Sequence, residues 1–193
     1  MNHATPEQML TLVTCGAGPA VAAGTFVHLA QHRGWAVQVV ATPAALDFFD
    51  QAAIEKLTGK PVKSQYSGPG APRSRVPDAV IVAPATYNTI NKWALGISDT
   101  YALGVLAEMT GLDVPIVVLP FVNSALAGRA PFSAVSPRSA PRACISCSAP
   151  VDSDRTRRVP VAISSTATPG ISPWMKPAAC STANPADAFG LIT

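Results

Sequence analysis

Short uninterrupted apolar runs alternate along this chain with stretches in which apolar residues recur every three or four positions. Residues 10–15 (LTLVTC), 36–41 (AVQVVA), 79–83 (AVIVA) and 115–119 (PIVVL) are uncharged and rich in β-branched side chains. Each reads as a strand apolar on both faces. Between them, residues 20–33 put Val21, Phe26, Val27 and Ala30 on one helical face, with Pro19 suited to the first turn and Gly34 to the stop. Residues 44–57 do the same with Leu46, Phe49, Ala53 and Leu57. The segment 59–77 breaks the rhythm with four prolines and three glycines, and predicts one short strand near 61–65 followed by a loop.

Residues 79–106 organise the rest: a buried strand, a turn dense in hydrogen-bonding side chains, a short helix, and a second helix entered through Ser98-Asp99. Strands buried on both faces and alternating with helices specify a parallel sheet covered on both sides. The expected fold class is α/β, a Rossmann-like three-layer α/β/α arrangement with a doubly wound parallel sheet joined by right-handed crossovers.

The pattern ends after Phe132. Residues 133–193 carry prolines every few positions, many Ser and Ala, and no sustained period, so an irregular tail is expected there. The genetic code offers a reason. Back-translated from Ser133 with GC-rich codons and read one base out of frame, the tail accommodates RSVATLRAAGVHQLLGAGGFGPHPPGTG, which has helical spacing, then a strand, then a glycine turn. The chain is therefore expected to divide into a domain at 1–132 and a frameshifted, non-native tail at 133–193.

Composition narrows the function classes. The 193 residues are 48% apolar with a net charge of +3, too little and too scattered to argue for nucleic acid or an anionic membrane. The basic run from Arg155 to Arg158 lacks an aromatic platform and reads as a solvated loop. No apolar run approaches a membrane span, and MNHATPEQ lacks a basic region followed by an apolar one, so a cytoplasmic protein is expected. Four cysteines do not make a disulfide framework at this length. Cys144 and Cys147 have the spacing of a metal or redox pair, but zinc needs a second ligand pair, so no metal is expected. Cys15, at a strand end, reads as a small buried hydrophobe.

Gly16-Ala-Gly18-Pro19 lies between a strand and a helix, where backbone N–H groups and the helix dipole converge on one spot. Val21 occupies the third small-residue position of the dinucleotide fingerprint, and Thr42 stands where a ribose-binding acid belongs. A mononucleotide phosphate held by the Gly16 turn and Thr42 fits better, and a tight turn that merely packs the helix is the alternative. Thr86 and Asn88 either face a ligand or cap the next helix. Asp99 suits either the helix dipole or the polar edge of a heterocycle.

Pro84-Ala-Thr86-Tyr-Asn88-Thr89, followed by Gly96-Ile-Ser-Asp99, resembles the PASANT region of the flavin-containing cysteine decarboxylases. That family includes phosphopantothenoylcysteine decarboxylase and the epidermin-type peptide decarboxylases, and the flavin prenyltransferases share its fold. Pro120-Phe-Val-Asn123-Ser-Ala-Leu126 is similar to its PxMNxxMW substrate clamp, and Thr42-Pro-Ala-Ala45 to its strand-end threonine. The resemblance spans residues 10–132. It implies FMN held non-covalently in a trimer-based homo-oligomer, with Gly16, Gly18 and Thr42 near the phosphate. It places Ala85, Thr86 and Asp99 near the ribityl chain or ring, with Asn88 and Asn123 on a small or peptide substrate's carboxylate. The chain departs from the family in three places. SGPGAPRSRVPD has no histidine near Gly70, Val122 and Ala127 replace the clamp's Met and Trp, and the phosphate turn lacks its Ser. The three histidines are His3, His28 and His32, and the two on the first helix read as solvated. Three activities follow as alternatives: a decarboxylase-like lyase, an FMN-binding protein without decarboxylation, and a prenyltransferase-like enzyme. The nucleotide sequence is expected to carry the out-of-frame reading after Ser133, and sequencing the gene checks it.

Overall fold

The structure, a computed structural model, describes residues 8–68, 70, 74–127 and 129, together with the backbone of Ala143–Ile145. Strands β1 (Gln8–Thr14), β2 (Trp35–Ala41), β3 (Ala79–Ala85), β4 (Ile116–Pro120) and β5 (Ala143–Ile145) form one parallel sheet in the order β2-β1-β3-β4-β5. Its helices are α1 (Ala23–Gln31), α2 (Gln51–Thr58), α3 (Tyr87–Ala94), α4 (Tyr101–Gly111) and α5 (Ser124–Ala127). The chain builds β2 on one side of β1 and then crosses to the other side for β3. This reversal places the topological switch point between the carboxyl ends of β1 and β3.

The double apolar pattern has a direct structural reading. On one face, Val13, Val40, Val80, Val82, Ile116 and Val118 pack with Ile90 of α3 and Leu106 and Met109 of α4. On the other, Leu10, Leu12, Val37, Val39 and Ile81 pack with Val27 of α1 and Ile54 of α2. Successive strand residues thus feed opposite cores, which is why no strand alternates between an apolar and a solvated face.

Three local expectations are revised. The first predicted helix opens as a 3-10 turn, Gly18–Ala22, before α1 begins, and it ends as expected at Gly34 with φ +79°. The second is two elements: a 3-10 turn, Pro43–Phe48, and then α2. Phe49 is extended between them, and the Asp50 carboxylate accepts the Ala53 N–H at 3.1 Å, so α2 starts at its own cap. The strand expected near 61–65 is a single bridge, in which Lys63 accepts from Ala41 N–H at 2.8 Å and donates to the Val39 carbonyl at 3.1 Å. Prolines and glycines on either side prevent its extension.

Within the stretch expected to be largely irregular, Ala143–Ile145 pairs in parallel with Ile116–Val118 of β4. The remainder of the tail, with Cys147, Cys180 and the Arg155–Arg158 run, lies outside the described residues. No helix among the described residues is long and apolar enough to cross a membrane.

Leu106 is fully buried in the α3/α4 core. Leu106→Ala is expected to lower stability by roughly 2–5 kcal/mol, measured by chemical denaturation.

Candidate functional site

Two turns meet at the switch point. The first follows β1. Gly16 N–H donates to Thr42 Oγ1 at 3.3 Å, and Thr42 N–H donates to the Thr14 carbonyl at 3.0 Å, so the ends of β1 and β2 are stitched together. Gly16 is required by space. A Cβ there would lie 2.7 Å from the Ala44 carbonyl oxygen, a backbone atom that cannot swing aside. Ala17 is extended (φ −152°) and Gly18 starts the 3-10 turn with Pro19, with no side chain capping the end. The structure joins Gly16 to Thr42 and sets Gly18 two residues further along the same turn. Sequence reasoning missed Ala44, whose main chain seats the glycine at position 16.

The second turn follows β3. The Ala83–Pro84 peptide is cis, and the register against β4 shifts between Val82 and Ala85. Cys15 N–H donates to the Pro84 carbonyl at 3.1 Å, and Phe121 N–H to the Ala85 carbonyl at 2.8 Å. These two bonds hold the turn between the ends of β1 and β4. Thr86 caps α3, accepting the Thr89 N–H at 3.4 Å while its hydroxyl meets that of Thr89 at 3.0 Å. Asn88, one of the two candidates for capping, is exposed on the first turn of α3, and its side chain has no hydrogen-bond partner among the described residues, so Thr86 is the cap. Asn123 is also exposed, and its Oδ1 accepts the Leu126 N–H at 2.9 Å, so it caps α5.

Asp99 takes neither first-turn position. Thr100 is the cap of α4, its hydroxyl accepting the Leu103 N–H at 3.3 Å. Asp99 precedes it, about half exposed, in an ion pair with Lys92 of α3. It stands on the rim, at the end of α4 nearest the two turns.

Cys15 lies fully buried beneath the second turn. Burial pushes its thiol above the ordinary value of 9.0, partly offset by the hydroxyl of Thr89 and by the backbone and hydroxyl of Thr86. It is a neutral thiol packed against the turn, and Thr89 joins it as a site-forming residue that the sequence reading did not single out. The T-x-x-T spacing of a cap was the available signal. His28 and His32 are exposed on α1, as expected, and α1 runs back toward the amino edge of the sheet, away from both turns. Among the described residues, no group of three His, Cys, Asp or Glu side chains is placed to hold a metal ion.

The switch point, where an open α/β sheet forms its crevice, is bounded by two polar turns, one carrying Gly16 and Gly18 and the other Thr86, Asn88 and Thr89. The sequence profile described as Flavoprotein matches residues 2–130 of the chain. The chain belongs to this family. The flavoprotein is 33% identical over 101 residues to the coenzyme A biosynthesis bifunctional protein CoaBC of Vibrio vulnificus, a match covering 48% of this chain and 24% of that protein. It therefore spans about a quarter of the curated relatives it matches.

Solved structures share its fold. The FMN-dependent cysteine decarboxylase SpaF superposes with a TM-score of 0.59 at 22% identity, covering 72% of this chain and 85% of SpaF. A cysteine-to-serine mutant of PPC decarboxylase complexed with pantothenoylaminoethenethiol gives 0.56 at 21% identity over 66% of this chain and 74% of that one. The FMN-binding protein AtHal3 gives 0.55 at 22% identity over 66% and 72%.

Gly16→Ala is expected to cost about 1–3 kcal/mol by forcing the two turns apart, read as a lowered denaturation midpoint.

Proposed function

We propose that this flavoprotein binds FMN across the carboxyl edge of the sheet and acts as a decarboxylase-like enzyme on a small or peptide thiol carboxylate. The observation that carries the reading is the meeting of the Gly16 turn and the Pro84–Asn88 turn at the switch point, joined by the Cys15 N–H to Pro84 carbonyl bond. The residues present fit a mononucleotide. No side chain caps the Ala17–Gly18 end of the first turn, which leaves that end open to an anion, and glycine at position 16 lets the turn seat against the Ala44 main chain.

In this reading Gly16, Gly18 and Thr42 hold the phosphate. Ala85 and Thr86 line the ribityl chain or ring, with Asp99 at the rim. Asn88, whose amide is uncommitted, and Asn123 hold the substrate carboxylate. Bound FMN supplies an acceptor for an electron pair. The similarity to SpaF and to PPC decarboxylase supports the substrate class, and a trimer-based homo-oligomer in the cytoplasm belongs to the same proposal.

A second reading, FMN binding without decarboxylation, rests on a specific observation. Among the described residues both histidines lie in the last turn and at the C-cap of α1, Asp99 is paired with Lys92, and Asp50 is committed to capping α2. The histidine that the resemblance calls for as proton acceptor has no counterpart beside the two turns.

The domain division belongs to the same proposal: residues 1–132 form the FMN-binding unit, and 133–193 are read out of frame. The out-of-frame letters VHQLL fall across Cys144 to Ser148, overlapping β5 beside β4. A strand is what the fold asks for at that place.

The purified protein is expected to show a flavin absorbance spectrum or to gain one on adding FMN. A colourless preparation that cannot be reconstituted rules out both readings. With FMN bound, cysteine-terminated peptides are expected to lose carbon dioxide and two hydrogens by mass measurement, and unchanged peptides favour the second reading.

A further inference from the structure

We infer that His28 and His32 form a chelating pair for a divalent transition-metal ion on the outer face of α1, independent of the flavin reading. His28 lies in the last turns of α1 and His32 is its C-cap, with helical φ −58° and ψ −20°. Both rings therefore occupy one helix at i and i+4, about 40° apart around the axis and one turn apart along it, with Cβ atoms roughly 5–6 Å from each other. Both are exposed, while Ala23, Val27 and Ala30 face the core.

The surroundings leave the pair available. The Gln31 amide is occupied with the Leu57 carbonyl at 2.9 Å. The Arg33 guanidinium, the nearest cation in sequence, donates to the Leu29 carbonyl at 3.2 Å. The end of α1 also carries the partial negative charge of the helix dipole, which favours a cation. Neutral imidazole is a ligand for Zn²⁺, Ni²⁺ and Cu²⁺. Two rings give a bidentate chelate with water in the remaining positions, an open site rather than a closed structural centre. It lies at the amino edge of the sheet, so a bound ion does not contact the crevice at the carboxyl edge.

The chain has three histidines, which makes ring resonances a direct readout. In the untagged full-length protein carrying His3→Ala, Ni²⁺ is expected to broaden the His28 and His32 ring signals together. Adding His28→Ala is expected to raise the Ni²⁺ needed to broaden the His32 signal about tenfold or more, because the chelate is lost. His32→Ala is expected to do the same to His28. Rings that respond at different Ni²⁺ concentrations, or a remaining ring that responds at an unchanged concentration, overturn the proposal. Flavin absorbance plays no part in this readout, so it stands or falls apart from the proposed function.

Discussion

Burial of four strands on both faces is the constraint from which the remaining architecture follows. Val13 and Leu12 are adjacent in sequence and belong to opposite cores, and the same holds for Val80 with Ile81 and for Val117 with Val118. A strand so placed tolerates no charge on either side, so polar chemistry is driven to the strand ends. There the backbone must leave the sheet, and its N–H and C=O groups need new partners. The crevice is made from that requirement. Thr42, Thr86 and Thr100 each use a hydroxyl to satisfy a main-chain N–H, and Cys15 and Phe121 donate theirs to carbonyls of the β3 turn.

This division explains what could be read from the sequence. The four longer strands were legible because uninterrupted β-branched runs have few other uses at that length, and Gly34 was legible as a helix stop through its positive φ. The break at Phe49 and Asp50 was not, because an apolar period runs across it. The decision there is made by one carboxylate, which binds Ala53 N–H and resets the helix start. Asp99 was ambiguous for a similar reason. A Thr next to it competes for the cap, and a Lys seven positions earlier competes for its charge.

The site shows the same asymmetry between local and distant information. The glycine turn announced its conformation, while the reason that only glycine fits comes from Ala44, beyond the next strand. Asn123 looked like a ligand-facing residue and also caps α5, two roles that spacing alone does not separate. Cys15 was read as a buried hydrophobe, which it is. Its placement against Thr86 and Thr89 depends on the crossover that brings β3 alongside β1.

The two margins of the sheet carry a consequence for assembly. Beyond β2, Lys63 takes up the main-chain groups of Val39 and Ala41 in both directions. Beyond β4, Ala143–Ile145 covers Ile116–Val118, and the strand ends two residues later in Pro120, which has no N–H to offer. Neither margin leaves a long open ladder among the described residues. Among the described residues, what association between copies of this chain can use is helix and loop side chains, such as the exposed Leu95 and Ile97 between α3 and α4. Side-chain contacts of that kind can be weakened or redirected one residue at a time, whereas a continuous backbone ladder cannot.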